Sequence, residues 1–143
     1  MKKFFLAVCV LATIVSCKKD DDDNNQNCEK SVAGLSGSFK ITKAVIVASG
    51  IPDQDVTSSW LSDCERNGVY LLKNDKTVTY TESGSCSDSG TGTWDVVDGK
   101  ISISTSGGSY FISSKTVSAW DCSTMVVSDD LGGATYKIYF TKQ

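Results

Sequence analysis

The 143-residue sequence has no histidine and only one proline, Pro52. It has no C-x-x-C spacing and no apolar run long enough to cross a bilayer. Each absence excludes something. Without histidine the chain lacks the side chain that titrates near neutrality, a common general base and metal ligand. With neither histidine nor C-x-x-C, the cysteines do not fit a zinc site. No G-x-S-x-G elbow, S-x-x-K pair or P-loop is present, so the usual acyl-transfer and nucleotide motifs are missing. Positive charge is not in excess either. The formal charge is −3 and the pI is about 4.8, which argues against nucleic acid as a partner. The longest apolar run, residues 4–15 with Thr13 as its only interruption, falls well short of the roughly 20 residues a spanning helix needs.

That short run follows Lys2 and Lys3 and ends at Ile14-Val15-Ser16-Cys17. A basic head, a short apolar segment and a small residue before the break are the parts of a secretory leader. A buried N-terminal helix is the other reading, but the polar run that follows offers nothing to cover it. The break resembles the bacterial lipobox, in which an aliphatic and a small residue precede a cysteine. The resemblance implies cleavage before Cys17 and lipidation of Cys17, and several acyl chains on one residue anchor stably. An ordinary secretory signal is the alternative.

Lys18 and Lys19 then precede Asp20, Asp21, Asp22 and Asp23, followed by Asn24, Asn25, Gln26 and Asn27. A run without apolar residues has nothing to bury and reads as a disordered tether. An acidic run behind a lipidated cysteine also resembles the surface-export signal of Bacteroidota lipoproteins, which implies the outer face of the outer membrane. A plain linker on the periplasmic face is the alternative. The four carboxylates offer at most weak calcium binding, because nothing fixes a coordination geometry. Loss of Lys2 and Lys3 with the leader takes the formal charge from −3 to −5. The expected organisation is a leader over 1–16, lipidated cysteine and tether over 17–27, and one folded domain over 28–143.

Six cysteines are present. Cys9 leaves with the leader and Cys17 carries lipid. Cys28, Cys64, Cys86 and Cys122 remain, an even set that reads as disulfides in an exported domain. Three connectivities are possible. The favoured one joins Cys64 to Cys86 across a hairpin-sized loop and ties Cys28, at the start of the domain, to Cys122 on a late strand.

From Leu35 onward Val, Ile, Thr, Tyr and Ser dominate, punctuated by Gly, Asn and Asp. Strands are expected over 37–48, 68–73, 77–82, 92–97, 100–105, 110–114, 116–122, 124–129 and 135–141. Asn74-Asp75-Lys76, Asp98-Gly99, 106–109 and Leu131-Gly132-Gly133 read as tight connections, so neighbouring strands must run antiparallel. Alternation leaves one apolar face: Val78 and Tyr80 oppose Thr77, Thr79 and Thr81, while Ile101 and Ile103 oppose Ser102 and Ser104. A long sheet with one apolar face must roll up or fold over. The expected fold is all-β, a small antiparallel up-and-down barrel of about eight or nine meander strands, with a β-sandwich as the alternative. Residues 52–61 are expected to hold one short helical turn, with Trp60 over a barrel end.

The stretch LSGSFKITKAVI at 35–46 resembles the first strand of the lipocalin-like domain of Bacteroidota lipoproteins, with Gly37 and Lys40 in place and Phe39 where a tryptophan is usual. CERNGVYLLKNDKTVTYTESGSC and GTGTWDVVDGKISIS resemble that family's cysteine-bracketed hairpin and its Gly-Thr-Trp strand. With the closing ATYKIYFTKQ, the resemblance extends over residues 35–142. It implies a lipocalin- or calycin-like barrel whose members are mostly of unknown function.

The candidate ligand contacts are therefore inward residues: Phe39, Tyr80, Trp94, Tyr110, Met125, Tyr136 and Phe140, with Ile41, Val78, Val96, Ile101, Ile103, Ile112, Val127 and Ile138 as further lining. An eight-stranded barrel either fills with such side chains or holds one small apolar ligand. Asp53 and Asp55 offer an acid–base pair, though a solvated turn beside Pro52 suits them better; Glu82 and Asp95 are candidate inward carboxylates, for which a rim position suits better. Trp60, Trp120 and Tyr139 are candidates for exposed aromatics at an interface. The expectation is a monomeric, non-enzymatic envelope lipoprotein without metal or cofactor, held to the membrane through Cys17 and binding a small apolar ligand. A filled barrel that binds a protein or glycan through its surface is the alternative.

Overall fold

The computed structural model describes residues 28–106 and 112–143. Nine antiparallel strands form one meander: β1 (Gly37–Ala48), β2 (Gln54–Asp55), β3 (Val69–Leu72), β4 (Thr77–Thr81), β5 (Ser89–Val97), β6 (Lys100–Thr105), β7 (Ile112–Trp120), β8 (Thr124–Asp130) and β9 (Ala134–Lys142). A β1–β9 pairing closes eight of them into a ring, while β2 is a short flap on β1. The twelve-residue β1 makes this possible. One edge pairs with β3 near its start and with β2 at Val45 and Ile46, and the other runs along β9.

The turns follow from residue type. Asp98 and Gly99 both take positive φ (50° and 71°), as a two-residue hairpin turn requires. At the β3–β4 turn, Asp75 Oδ1 accepts from the Thr77 amide (3.0 Å) and hydroxyl (2.6 Å). Such side-chain turns are what aspartate favours.

Bulges correct the strict alternation. Ile112 and Val117 are five residues apart, an odd spacing that would put them on opposite faces, yet both are buried. A register shift against β6 between Ile112 and Lys115, with Ser114 at φ 51°, turns Val117 back inward. The strands expected over 110–114 and 116–122 are therefore one bulged strand, because the extra residue bends the ladder without ending it. A shift between Ile41 and Lys43 likewise brings Ala44 into the core after Phe39 and Ile41.

The two ends of the barrel differ. One, the base, holds the β3–β4, β5–β6 and β7–β8 turns, the first residue of β1 and the last of β9. Here α1 (Val32–Leu35) drives Leu35 fully into the core, and its N-cap Ser31 accepts from the Gly34 amide. A Cys28–Cys122 disulfide spans 94 residues at the base, and the Gln143 amide donates to the Ser38 carbonyl at 2.9 Å. The other end, the mouth, is covered by a lid over residues 49–68. The lid contains β2, α2 (Thr57–Trp60) and α3 (Asp63–Asn67).

Three attachments hold the lid. β2 pairs with β1, the Val56 amide donates to the Ala44 carbonyl (2.9 Å), and a Cys64–Cys86 disulfide joins α3 to the β4–β5 connection. Ser62 and Glu65 close a reciprocal capping box on α3. Among the described residues, no helix is long and apolar enough to cross a membrane.

Candidate functional site

Six of the seven residues proposed as ligand contacts converge inside the barrel. Phe39, Tyr80, Trp94, Met125 and Phe140 are 0–2% exposed, and Tyr136 is 9% exposed. Tyr110 and Cys17 lie outside the described residues. Val96 is only partly buried at the edge of the core. Tyr70, missing from the sequence-based set, sits at the centre, with its ring 4.7 Å from Tyr80 and 6.0 Å from Phe140. Its strand reads VYLL, with no alternation to mark a face. Only the register with Tyr80 reveals which side it takes.

The deep interior is full. A chamber wide enough for a ligand would leave water-sized space against its walls, and Phe39, Tyr70, Tyr80, Trp94, Met125 and Phe140 are at most 2% exposed. Their polar atoms are used internally, not aimed at a cavity. Trp94 Nε1 donates to the Lys73 carbonyl at 2.9 Å, and the Tyr80 hydroxyl donates to Glu82 at 2.8 Å. Burial, then that hydrogen bond and the nearby carboxylates, push the Tyr80 phenol well above its ordinary pKa.

The core loosens toward one wall. On β9, Ile138 and Tyr136 retain 6% and 9% exposure. Trp60, on the lid helix α2, lies over Tyr136 with ring centroids 4.6 Å apart. One short turn within residues 52–61, with Trp60 over a barrel end, was expected; α2 at Thr57–Trp60 and this contact are its form. Trp60 is 47% exposed, and Ile51 and Leu131, also at the mouth, are 49% and 50% exposed.

Four surface clefts stand out among the described residues, and none of these four is lined by Phe39, Tyr80, Met125, Tyr136 or Phe140. One of about 460 Å³ lies at the base beside Cys28, Gly34, Trp120 and Lys142. One of about 690 Å³ lies beside the lid disulfide, between Arg66 and Gly84. A third, about 370 Å³, opens on the outer wall at Asp95 and Ser104. A fourth of about 370 Å³ lies at the mouth, between Ser49 and Asp130.

The carboxylate pairs do not assemble a catalytic site. Asp55 accepts from the Thr57 hydroxyl (2.6 Å) and amide (2.9 Å), bonds that hold its pKa below the usual range. Its carboxylate is used in the turn that leads from β2 into α2. Glu82 lies past the mouth end of β4. Asp95 lies on the outer wall nearer the base, ion-paired with Lys76 at 2.9 Å, a contact that lowers its pKa. Cys64, Cys86 and Glu82 are close enough to ligate one ion, but the two sulfurs are bonded to each other and offer no thiolate. Of the other exposed-aromatic candidates, Trp120 packs on Phe39 at 6.0 Å with the Lys142 ammonium near its ring, and Tyr139 is half-covered on the outer wall beside Lys43.

Comparison with known proteins found no match among curated proteins or solved structures. The model of one family, the lipocalin-like domain, matches residues 35–127, from the end of α1 through most of β8. A closed eight-strand meander and a family match over more than half of its length agree: the chain belongs to the lipocalin-like domain family.

Proposed function

We propose that this protein is a non-catalytic, lipid-anchored lipoprotein of the bacterial outer membrane that binds a small apolar ligand at the barrel mouth. In this reading residues 1–16 are a leader, Cys17 is acylated, and residues 17–27 are the acidic tether. The tether leads to Cys28 at the base, so the mouth points away from the membrane. The protein stands either on the cell surface or on the periplasmic face.

The observation that carries the ligand site is the distribution of residual exposure. Tyr136 and Ile138 of β9 keep 9% and 6% exposure, and Trp60 stacks over Tyr136 with about half its own surface in solvent. An aromatic ring that can lift from a partly open apolar wall suits a small ligand better than the sealed centre does.

The test is native mass spectrometry of the unacylated chain, without leader and with Cys17→Ser, after incubation with an envelope lipid extract. A reproducible added mass that vanishes on denaturation, and that Trp60→Ala reduces, is expected. A bare mass would instead favour the filled-barrel module that binds a protein or glycan through its surface. The sealed deep interior supports that second reading. The anchor has its own test: full-length Cys17→Ala should leave the membrane fraction, and protease treatment of intact cells separates the two faces.

A further inference from the structure

The cleft beside the lid disulfide is polar and covalently braced. Two short segments form it. One is α3, which contributes Asp63, Arg66 and Asn67, and the other is the β4–β5 connection, which contributes Ser83, Gly84 and Ser85. The Cys64–Cys86 disulfide lies on its wall and joins the two segments, so they cannot drift apart. The Ser62–Glu65 capping box fixes the first turn of α3, and Gly84, at φ 82°, bends the facing loop. At about 690 Å³ the cleft lies within the range of small-ligand sites.

The polar groups on its walls are uncommitted, unlike those around them. Ser62 and Glu65 bond to each other, and Glu82 accepts from Tyr80 and Asp88. Among the described residues, by contrast, nothing bonds the side chains of Asn67, Ser83 and Ser85 or the amides of Gly84 and Ser85. Arg66 is ion-paired with Asp63 through one terminal nitrogen, yet its Nε is shielded from solvent and has no partner. Shielded donors without a partner are uncommon in folded proteins.

From this braced set of free donors and acceptors we infer a site for a neutral saccharide, one that does not rest on the mouth as an apolar site. Each sugar hydroxyl both donates and accepts, as the serine hydroxyls do, and Asn67 and the Asp63–Arg66 pair offer both kinds of group on planar frames. Charge decides the class. Asp63 and Arg66 are the only charged residues on the walls, and they neutralise each other. An anionic ligand meets Asp63 and a cationic one meets Arg66, whereas a neutral polyol meets neither penalty. Because the disulfide has already fixed the walls, little ordering is left for binding to supply.

The test follows backbone amide chemical shifts of the unacylated Cys17→Ser chain during titration with maltotriose, cellotriose and triacetylchitotriose. Galacturonic acid and glucosamine serve as the anionic and cationic probes. Saturable shifts at Arg66, Asn67, Gly84 and Ser85 are expected with a neutral trisaccharide. Asn67→Ala/Ser85→Ala should weaken that binding about tenfold, through the loss of two hydrogen bonds, and both residues are exposed, so the core is untouched. A charged probe that binds here more tightly than the neutral ones would overturn the ligand class. No saturable shifts with any neutral trisaccharide, shifts at Trp60 and Tyr136 instead, or binding that ignores Asn67→Ala/Ser85→Ala would overturn the site.

Discussion

The Tyr80 hydroxyl donates to Oε1 of Glu82 at 2.8 Å, two residues further along the same chain. The strand period of two puts both side chains on one face. β4 ends between them, so Tyr80 lies in the core and Glu82 at the rim. The other Glu82 oxygen accepts from the Asp88 amide at 3.2 Å, across the connection that carries Cys86. One carboxylate therefore joins the buried aromatic cluster to the loop that staples the lid.

Tyr80 should remain protonated in the native protein at pH values where a free tyrosine ionises. Its folded pKa lies above the ordinary value of about 10. The associated stability is complete below pH ~10 and is lost as pH rises above that value toward the raised folded pKa. Phenolate absorbance during alkaline titration checks this. Tyr80→Phe should leave the native part of the curve unchanged and lower stability by about 1 kcal/mol for the lost hydrogen bond. A native phenolate signal near pH 10 that disappears in Tyr80→Phe would contradict it.

The two disulfides should differ in what their loss does. Loop closure predicts about 3 kcal/mol for Cys64→Ser/Cys86→Ser, across 22 residues, and about 4–5 kcal/mol for Cys28→Ser/Cys122→Ser, across 94. Denaturant titration reads those totals. Hydrogen exchange reads the location. The first pair should raise exchange across the lid, at residues 54–67, while the β7–β8 ladder stays protected.

Gly92→Ala should destabilise the barrel by more than about 2 kcal/mol, because a Cβ there would lie 1.8 Å from the Ser104 carbonyl oxygen on the paired strand β6. Gly99→Ala provides the contrast. Its φ is +71° with open space around it, so only backbone strain of about 1 kcal/mol is expected. Comparing thermal midpoints of the two variants separates collision from strain.

Acid should loosen the turns before it touches the core. Asp121 accepts from the Thr124 amide, the Ser123 hydroxyl and the Ser123 amide, which hold its pKa below the usual range. Asp55 and Asp75 are lowered mainly by the hydroxyl and amide of a threonine two residues on. A depressed folded pKa gives stability that is present above the unfolded value near 3.9 and lost as pH falls through the folded one. Stability measured against pH should hold steady down to about pH 4 and then decline, with a shallower decline in Asp121→Ala.

The readable parts of the sequence were those where one physical rule acted alone. Alternation marked Val78 and Tyr80, Ile101 and Ile103, and Tyr136, Ile138 and Phe140 as inward, and all seven are buried. Asp98-Gly99 marked its turn because few other pairs accept two positive φ angles. Alternation failed where a bulge reset the period, as between Ile112 and Val117, and where both faces of a strand are apolar, as around Tyr70. The lid shows a missed local signal. Ser62-x-x-Glu65 is a capping box, but a five-residue helix carries no apolar periodicity to draw attention to it. The interior candidates were legible as a set. That their polar atoms bond to Lys73 and Glu82 instead of facing a cavity was not, because it depends on which strands become neighbours.

The β1–β9 seam also governs when the barrel can exist. Every other main pairing joins strands close in sequence, whereas this one joins residues roughly a hundred positions apart. A chain emerging N-terminus first can form its hairpins one after another, but β1 waits with an open edge until the last nine-residue strand arrives. Until then the apolar face of β1 is uncovered, and the nascent protein depends on a holding partner or on speed of release to avoid pairing with another copy of itself.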